Sequence, residues 1–176
     1  MAIEDWTIIR KLAGSILSNT AGNCIVEIGR GHSTSLFRSY SMIFGIPLFS
    51  CDINYKKEVN EPLFKTIAKS SVDFMKSFNG IPSLVLLDGC HDYDVVIEEA
   101  NFFIKKLVVH GVLFIHDTYP CLPGYLVHES CSDCYRVRIE LEKRTDIYCF
   151  TWPYTANNQG LTMILKKDFN RPFYRE

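Results

Sequence analysis

The segment from Ile25 to Phe37 reads IVEIGRGHSTSLF: an apolar β-branched strand carrying one acid, then Gly-x-Gly, then Ser and Thr opening a helix. Such a strand-to-helix turn asks for glycine at Gly29 and Gly31, because it needs positive φ or leaves no room for a Cβ beside a ligand. The helix that follows offers unpaired amides at its N-terminus. A dinucleotide fingerprint would place a third glycine there, but Ser33 and Thr34 stand in its position. Glu27, two residues before the first glycine, would repel a pyrophosphate and suits the ammonium end of an amino-acid-like ligand. S-adenosylmethionine has such an end. Glu27, Gly29, Gly31 and Ser33 are therefore candidate cofactor-binding residues, with an ordinary βα turn as the plain alternative.

The next apolar run, Pro47 to Ile53, ends in Asp52, roughly 20 residues beyond the turn, where nucleotide-binding βαβ units carry a ribose-binding acid. Alone, Asp52 reads equally well as a solvated loop acid. Beside Glu27 and Gly29 the binding reading leads. Two further clusters carry chemistry: LLDGCHDY, with Asp88, His91 and Tyr93, and GVLFIHDT, with His116, Asp117 and Thr118.

The elements that must position these residues follow from hydrophobic periodicity. Glu4 to Leu17 places Trp6, Ile9, Leu12, Ala13, Ile16 and Leu17 on one helical face, and Asn19 to Asn23 breaks it. Ser33 to Phe44 is the helix after the glycine turn, ended by Gly45 and Pro47. Leu63 to Ala68 reads as a strand, Ser71 to Phe78 as a short helix with Ser70 or Ser71 near its cap, Asn79 to Pro82 as a turn and Leu84 to Leu87 as a buried strand. From Tyr93 to Val108 the apolar positions keep a 3.6-residue period while Asp94, Glu98, Glu99, Lys105 and Lys106 fall off that face. His110-Gly111 stops this helix before the strand Val112 to Ile115. The strand–helix–strand rhythm implies parallel pairing with right-handed crossovers. Thr118 to Ser132, rich in Pro and Gly, reads as a long ordered loop, a length usually tied to function. Asp133 to Arg144 reads as a helix, Ile147 to Trp152 and Gly160 to Lys166 as strands joined by the polar stretch Pro153 to Gln159.

Composition narrows the field. The chain has 176 residues, 47% hydrophobic, which predicts one domain over residues 1–176 with a sizeable core. A net charge of −1, with no basic run, gives no pull toward nucleic acid, so small molecules are the expected partners. No stretch approaches a membrane span and the N-terminus lacks a leader pattern, so a cytoplasmic location is expected. Seven cysteines without a secretory signal read as reduced thiols, with Cys24, Cys51 and Cys149 as core fillers. Cys121, His128, Cys131 and Cys134 contain one Cys-x-x-Cys step that zinc accepts, set against plain thiols in a lid.

With these elements placed, nearly the whole chain resembles the class I S-adenosylmethionine-dependent methyltransferases. More specifically it is similar to the small-molecule family that includes macrolide sugar O-methyltransferases and cephalosporin-hydroxylase-like proteins. That family runs Asp-Gly-x-His-x-Tyr after the fourth strand and His-Asp-Thr after the fifth; Asp88, Gly89, His91 and Tyr93, then His116, Asp117 and Thr118, match. The resemblance implies an α/β Rossmann-like fold: a mostly parallel seven-stranded sheet with helices on both faces and the turns after Glu27, Asp88 and Asp117 around one crevice. It implies S-adenosyl-L-methionine as cofactor, held by Glu27, Gly29, Gly31, Ser33, Asp52, Ser70, Ser71 and Asp88, and methyl transfer to an oxygen of a small hydroxylated or glycosylated acceptor. His91, Asp88 and Asp117 are the expected catalytic residues, with His91 as base or, alternatively, as a cap of its loop.

In relatives, acids after the fourth and fifth strands bind a divalent ion, which assigns a Mg2+ site to Asp88 and Asp117. Cys90 and His116 stand where further acids are frequent, leaving a hard ion short of oxygen ligands, and a local hydrogen-bonding role for the two acids is the alternative. Relatives often carry Asp-Ser after the third strand, the Asp accepting from the adenine amino group; here Ser70-Ser71 stands instead. Tyr119, Tyr125 and Trp152 are candidate walls of the acceptor pocket. Little chain precedes the first strand to roof that pocket, so a neighbouring copy, and hence a homo-oligomer, is expected to do so. A non-catalytic binding or scaffold protein on the same fold, and a nicotinamide-dependent oxidoreductase, are the competing readings; Glu27 and the missing third glycine disfavour the second.

Overall fold

Runs of aliphatic residues with no polar face make the centre of the sheet. β1 (Cys24–Ile28), β5 (Pro82–Leu87) and β6 (Val112–His116) are buried at every position, the pattern of parallel strands covered on both sides. The computed structural model describes residues 5–55, 58–127, 130–153 and 159–168. Over these the chain also forms α1 (Asp5–Ser18), α2 (His32–Phe44), β2 (Leu48–Cys51), β3 (Asn60–Glu61), β4 (Phe64–Ile67), α3 (Ser71–Ser77), α4 (Tyr93–Lys106), α5 (Tyr135–Leu141), β7 (Ile147–Trp152) and β8 (Leu161–Lys166).

The strands form one sheet in the order β3-β4-β2-β1-β5-β6-β8-β7. β4, β2, β1, β5 and β6 run parallel, and β8 pairs antiparallel with both β6 and β7. The α/β class and mostly parallel pairing agree with expectation, but the sheet has eight strands rather than seven. The extra one, β3, is two exposed residues folded back antiparallel onto β4, too short for any alternation to mark it in sequence.

Helices cover both faces. Ile8, Ile9, Ala13 and Leu17 of α1 and Phe37 of α2 pack on one apolar layer with Ile25, Leu84 and Phe114. Phe74 of α3, Val96, Ala100 and Phe103 of α4, and Val137 and Leu141 of α5 build the other layer on Val26, Val85 and Leu113. Cys24 and Cys51 are buried in this second layer and Cys149 packs against it, and burial pushes the first two thiols up to about 12.

Element boundaries differ from the sequence reading where polar groups intervene. β2 stops at Cys51 because Asp52 turns back to accept the Asn54 amide at 2.7 Å. β5 begins at Pro82, tolerable at a strand's first residue, where a missing N–H costs least. α5 has seven residues where twelve carry helical periodicity. Ser70, not Ser71, caps α3, accepting from the Asp73 amide at 3.1 Å. Among its described residues, the loop after β6 contains one 3-10 turn, Pro123–Tyr125. Residues 154–158 of the polar stretch before β8 lie outside the described residues. No described helix is long and apolar enough to cross a membrane.

Candidate functional site

At the C-terminal ends of β1, β2 and β5 lies a cavity of about 460 Å³. Parallel α/β sheets place ligands there, where loops leave neighbouring strands in opposite directions. Among its walls are Gly29, Asp52, Ser70, Ser71, Asp88 and His91; Glu27, Gly31, Ser33 and Asp117, also expected around the ligand, are not.

Gly29 makes the turn work. Its φ is +82°, a conformation side chains rarely adopt, and a Cβ would lie 2.1 Å from the Asp88 carbonyl oxygen. The turn is clamped on both sides: the Gly29 amide donates to Cys51 O at 2.9 Å and the Asp88 amide to Ile28 O at 2.8 Å. Gly31 is different. Its φ is −165°, ordinary extended backbone, and nothing lies within 4 Å of the Cβ it lacks. The expectation that the turn itself requires glycine at both positions therefore holds only for Gly29.

Glu27 is fully buried behind the turn. Its carboxylate accepts from the hydroxyls of Ser33, Ser50 and, at 2.8 Å, Thr34, while Thr34 Oγ1 accepts from the Gly31 amide at 3.3 Å. Burial raises the Glu27 carboxyl against these hydroxyls and the Arg30 charge. An acid that reads in sequence as facing an ammonium is instead the knot joining β1, β2 and the start of α2, and Ser33 is one of its donors. Sequence separations of six, seven and 23 residues hid that convergence.

Asp52 lines the cavity, with Oδ2 accepting from the Arg30 amide at 3.0 Å. Each of its oxygens therefore holds one backbone amide and keeps a free lone pair.

The second half of the site gathers around β6. His91 Nε2 lies 2.9 Å from Asp117 Oδ2. His116 Nε2 lies 2.8 Å from Asp5 Oδ2, while its Nδ1 faces Asp117 Oδ1 at 2.9 Å and Asp88 Oδ1 at 3.3 Å. The angles of these last two contacts leave Nδ1 and Asp117 Oδ1 short of true hydrogen bonds. Trp6 stacks on the His116 ring, centroids 5.5 Å apart and planes within 7°. Asp117 reaches both imidazoles from a left-handed backbone position, φ 61°, which Asp tolerates better than most residues.

Burial opposes charge on all three partners, and the ion pairs outweigh it. His116 is pushed up to about 12 by Asp117, Asp5 and Asp88 despite its burial. The His116 and His91 contacts hold Asp117 well below the usual carboxylate range, against burial. Asp117 raises His91 above its ordinary value, against desolvation, with smaller contributions from Asp88 and the Ser130 backbone. The loop after β6 is tied back beside His91: the Tyr93 amide donates to Asp133 Oδ1 at 2.7 Å and Arg136 lies over the Tyr93 ring.

Two functional-looking groups escaped the sequence reading. Asp5 and Trp6 read as lead-in helix residues with no visible tie to His116, which lies 111 positions beyond Asp5. Glu99, which falls off the apolar face of α4 by period, is 1% exposed and lines the cavity. Tyr119, Tyr125 and Trp152 do not line it; Tyr119 borders a separate surface hollow with Arg138, and Trp152 packs on Phe150. His128 lies outside the described residues. Of its proposed zinc partners Cys121 is exposed, whereas Cys131 and Cys134 are buried, and burial raises both thiols. Among the described residues only Asp88, His116 and Asp117 form a group of three metal-ligand types.

Residues 26–118, just over half of the chain, match the family model described as Methyltransferase domain. No curated protein is significantly similar in sequence. Several solved structures share the fold. A putative caffeoyl-CoA O-methyltransferase from Staphylococcus aureus has TM-score 0.69 at 13% identity, covering 95% of this chain and 86% of that one. The O-methyltransferase from Bacillus cereus in complex with SAH has TM-score 0.65 at 10% identity, covering 91% and 79%. The MycE methyltransferase of the mycinamycin pathway, in complex with Mg and SAH, has TM-score 0.64 at 16% identity, covering 93% of this chain and 50% of that one.

Proposed function

The chain belongs to the methyltransferase-domain family, and from that premise we propose that it transfers a methyl group from S-adenosylmethionine to an oxygen of a small hydroxylated acceptor. The observation that carries this reading is the His91–Asp117 pair, 2.9 Å apart, with His91 in the wall of the same cavity as the Gly29 turn and Asp52. A sulfonium donor supplies an electrophilic methyl group, whose bond to sulfur breaks as the bond to the acceptor oxygen forms, the electron pair staying on sulfur.

The protein's own part is to hold and deprotonate. Asp52 has lone pairs left for ribose hydroxyls, and Ser70 and Ser71 border the same cavity. The Gly29 turn lets the backbone after β1 pack against that of Asp88 and Gly89 where a side chain would not fit, which sets the wall of the cavity. Glu27 and Ser33 act as positioning residues, fixing that turn from behind. His91, when neutral, accepts the acceptor hydroxyl's proton, and Asp117, 2.9 Å from its Nε2, orients the ring and stabilises the imidazolium that forms.

A magnesium ion on Asp88 and Asp117 fits this donor set poorly. The third group facing those carboxylates is the His116 nitrogen, not an oxygen, and Mg2+ favours an octahedron of oxygens and waters. A proton on His116 also places positive charge between the two acids. No step is therefore assigned to the ion. Turnover is expected to be unchanged after exhaustive chelation and unchanged by added Mg2+, measured by methyl transfer to a hydroxylated acceptor; loss on chelation restored by Mg2+ would refute this.

The donor itself is tested by calorimetric titration with S-adenosylhomocysteine, with NADH as control. Saturable binding of the first and none of the second is the expected result. Binding of neither would remove the proposed function.

A further inference from the structure

We propose that Glu99 reads the base of the methyl donor, its carboxylate receiving the exocyclic amino group of adenine from the wall of the cavity. The inference rests on the donor reading above and goes beyond it to the specificity of the base subsite.

Glu99 is an anomaly in the structure. It sits on α4, 1% exposed, and neither carboxyl oxygen has a hydrogen bond of adequate geometry. A buried carboxylate without donors is among the costliest arrangements in a folded chain. Its neighbours do not relieve it. The Ser71 hydroxyl favours the charged form, Glu98 opposes it, and burial dominates both, pushing the group up to about 7. Yet Glu99 is not sealed in the core: it lines the 460 Å³ cavity with Ile53, Val72 and Val95, while Asp52 and Ser71 border the same space.

That combination defines what is missing. The apolar side chains of Ile53, Val72 and Val95 suit the faces of a flat ring. Asp52 offers acceptors for hydroxyls. Ionised, Glu99 offers acceptors only, so the ligand edge meeting it must donate a hydrogen bond. An adenosyl group carries all three features, and its amino group is the one N–H donor on the base. Asp73, the acid in the first turn of α3, is held by the Ser70 hydroxyl and Lys76 and does not line the cavity, so Glu99 brings the acid for that donor from α4 instead. The unliganded protein bears the desolvation cost, and the bound amino group relieves it.

The test uses S-adenosylhomocysteine and its 6-deamino (purine) analogue, titrated calorimetrically into the wild-type protein, Glu99→Ala and Glu99→Gln. A hydrogen bond to a charged acceptor predicts that the wild type prefers the amino ligand by about tenfold or more. Glu99→Ala should bind both ligands alike. Glu99→Gln, which keeps an acceptor oxygen, should retain much of the preference. Neither variant should melt below the wild type without ligand, since burial of the carboxyl outweighs its one contact, with the Ser71 hydroxyl; a purely structural role would give the opposite. A wild-type preference that persists in Glu99→Ala overturns the assignment and leaves the donor site standing. Failure of the wild type to bind either ligand overturns the donor reading, and this inference with it.

Discussion

Changing His91 to alanine is expected to lower kcat by about 10²–10⁴-fold, the range for loss of a positioned proton acceptor, with S-adenosylhomocysteine affinity close to wild type. The pH profile gives the sharper test. His91 acts when neutral, and Asp117 raises its proton affinity, so the acid limb of kcat should lie above the ordinary histidine value of about 6.5. Activity should rise with pH as that proton leaves. Asp117→Asn removes the charge that holds the proton, so its acid limb should move down in pH while its maximal rate falls, because the imidazole loses the partner that orients it. The same shift affects stability with the opposite slope. His91 binds its proton more tightly folded than unfolded, so its stabilising share is complete below about 6.5 and is lost as pH rises through the folded value. A kcat for His91→Ala that matches wild type at every pH would sink the base assignment and leave His91 as a loop anchor.

The second large effect separates two glycines that look alike in sequence. Gly29→Ala would drive a Cβ to 2.1 Å from Asp88 O, 2.3 Å from its carbon and 2.5 Å from Gly89 Cα, at a φ of +82°. All three obstacles are backbone, held by the β1–β5 ladder, and none can swing away. We expect a loss of more than about 4 kcal/mol, seen as a failure to purify folded protein or an early urea transition. Gly31→Ala meets open space at an extended φ, so its urea midpoint should stay within about 0.5 kcal/mol of wild type. If Gly31→Ala were as damaging as Gly29→Ala, the account of this turn would be wrong.

What could be read from the chain divides along sequence distance. The glycine turn, Asp52, and the Asp88–His91 and His116–Asp117 clusters sit at strand ends that a periodic apolar run marks plainly, and all lie at the same edge of the sheet. Local signals fail where a polar side chain finds its partner only after folding. Glu27 looks exposed to ligand because nothing nearby in sequence announces Ser50 as a donor. Glu99 looks solvated because a helical period registers which face is apolar, not which cavity a charge meets. Asp5 and Trp6 look like ordinary lead-in residues until α1 crosses the sheet and delivers them to His116. β3 was invisible because two exposed residues carry no period.

The place of β8 has consequences for how this molecule is assembled and how it opens. β7 precedes β8 in the chain but lies outside it, so β7 has no route onto the sheet except through β8. The two strands must therefore join as a hairpin, and the free edge of β6 waits for it. Until it docks, that edge is an unpaired template of the kind that recruits other chains, and it ends at His116 and Asp117. In the folded protein the hairpin forms a natural subglobal unfolding unit, whose release would bare the strand that leads into Asp117 while β1, β2 and β5 keep the Gly29 turn intact.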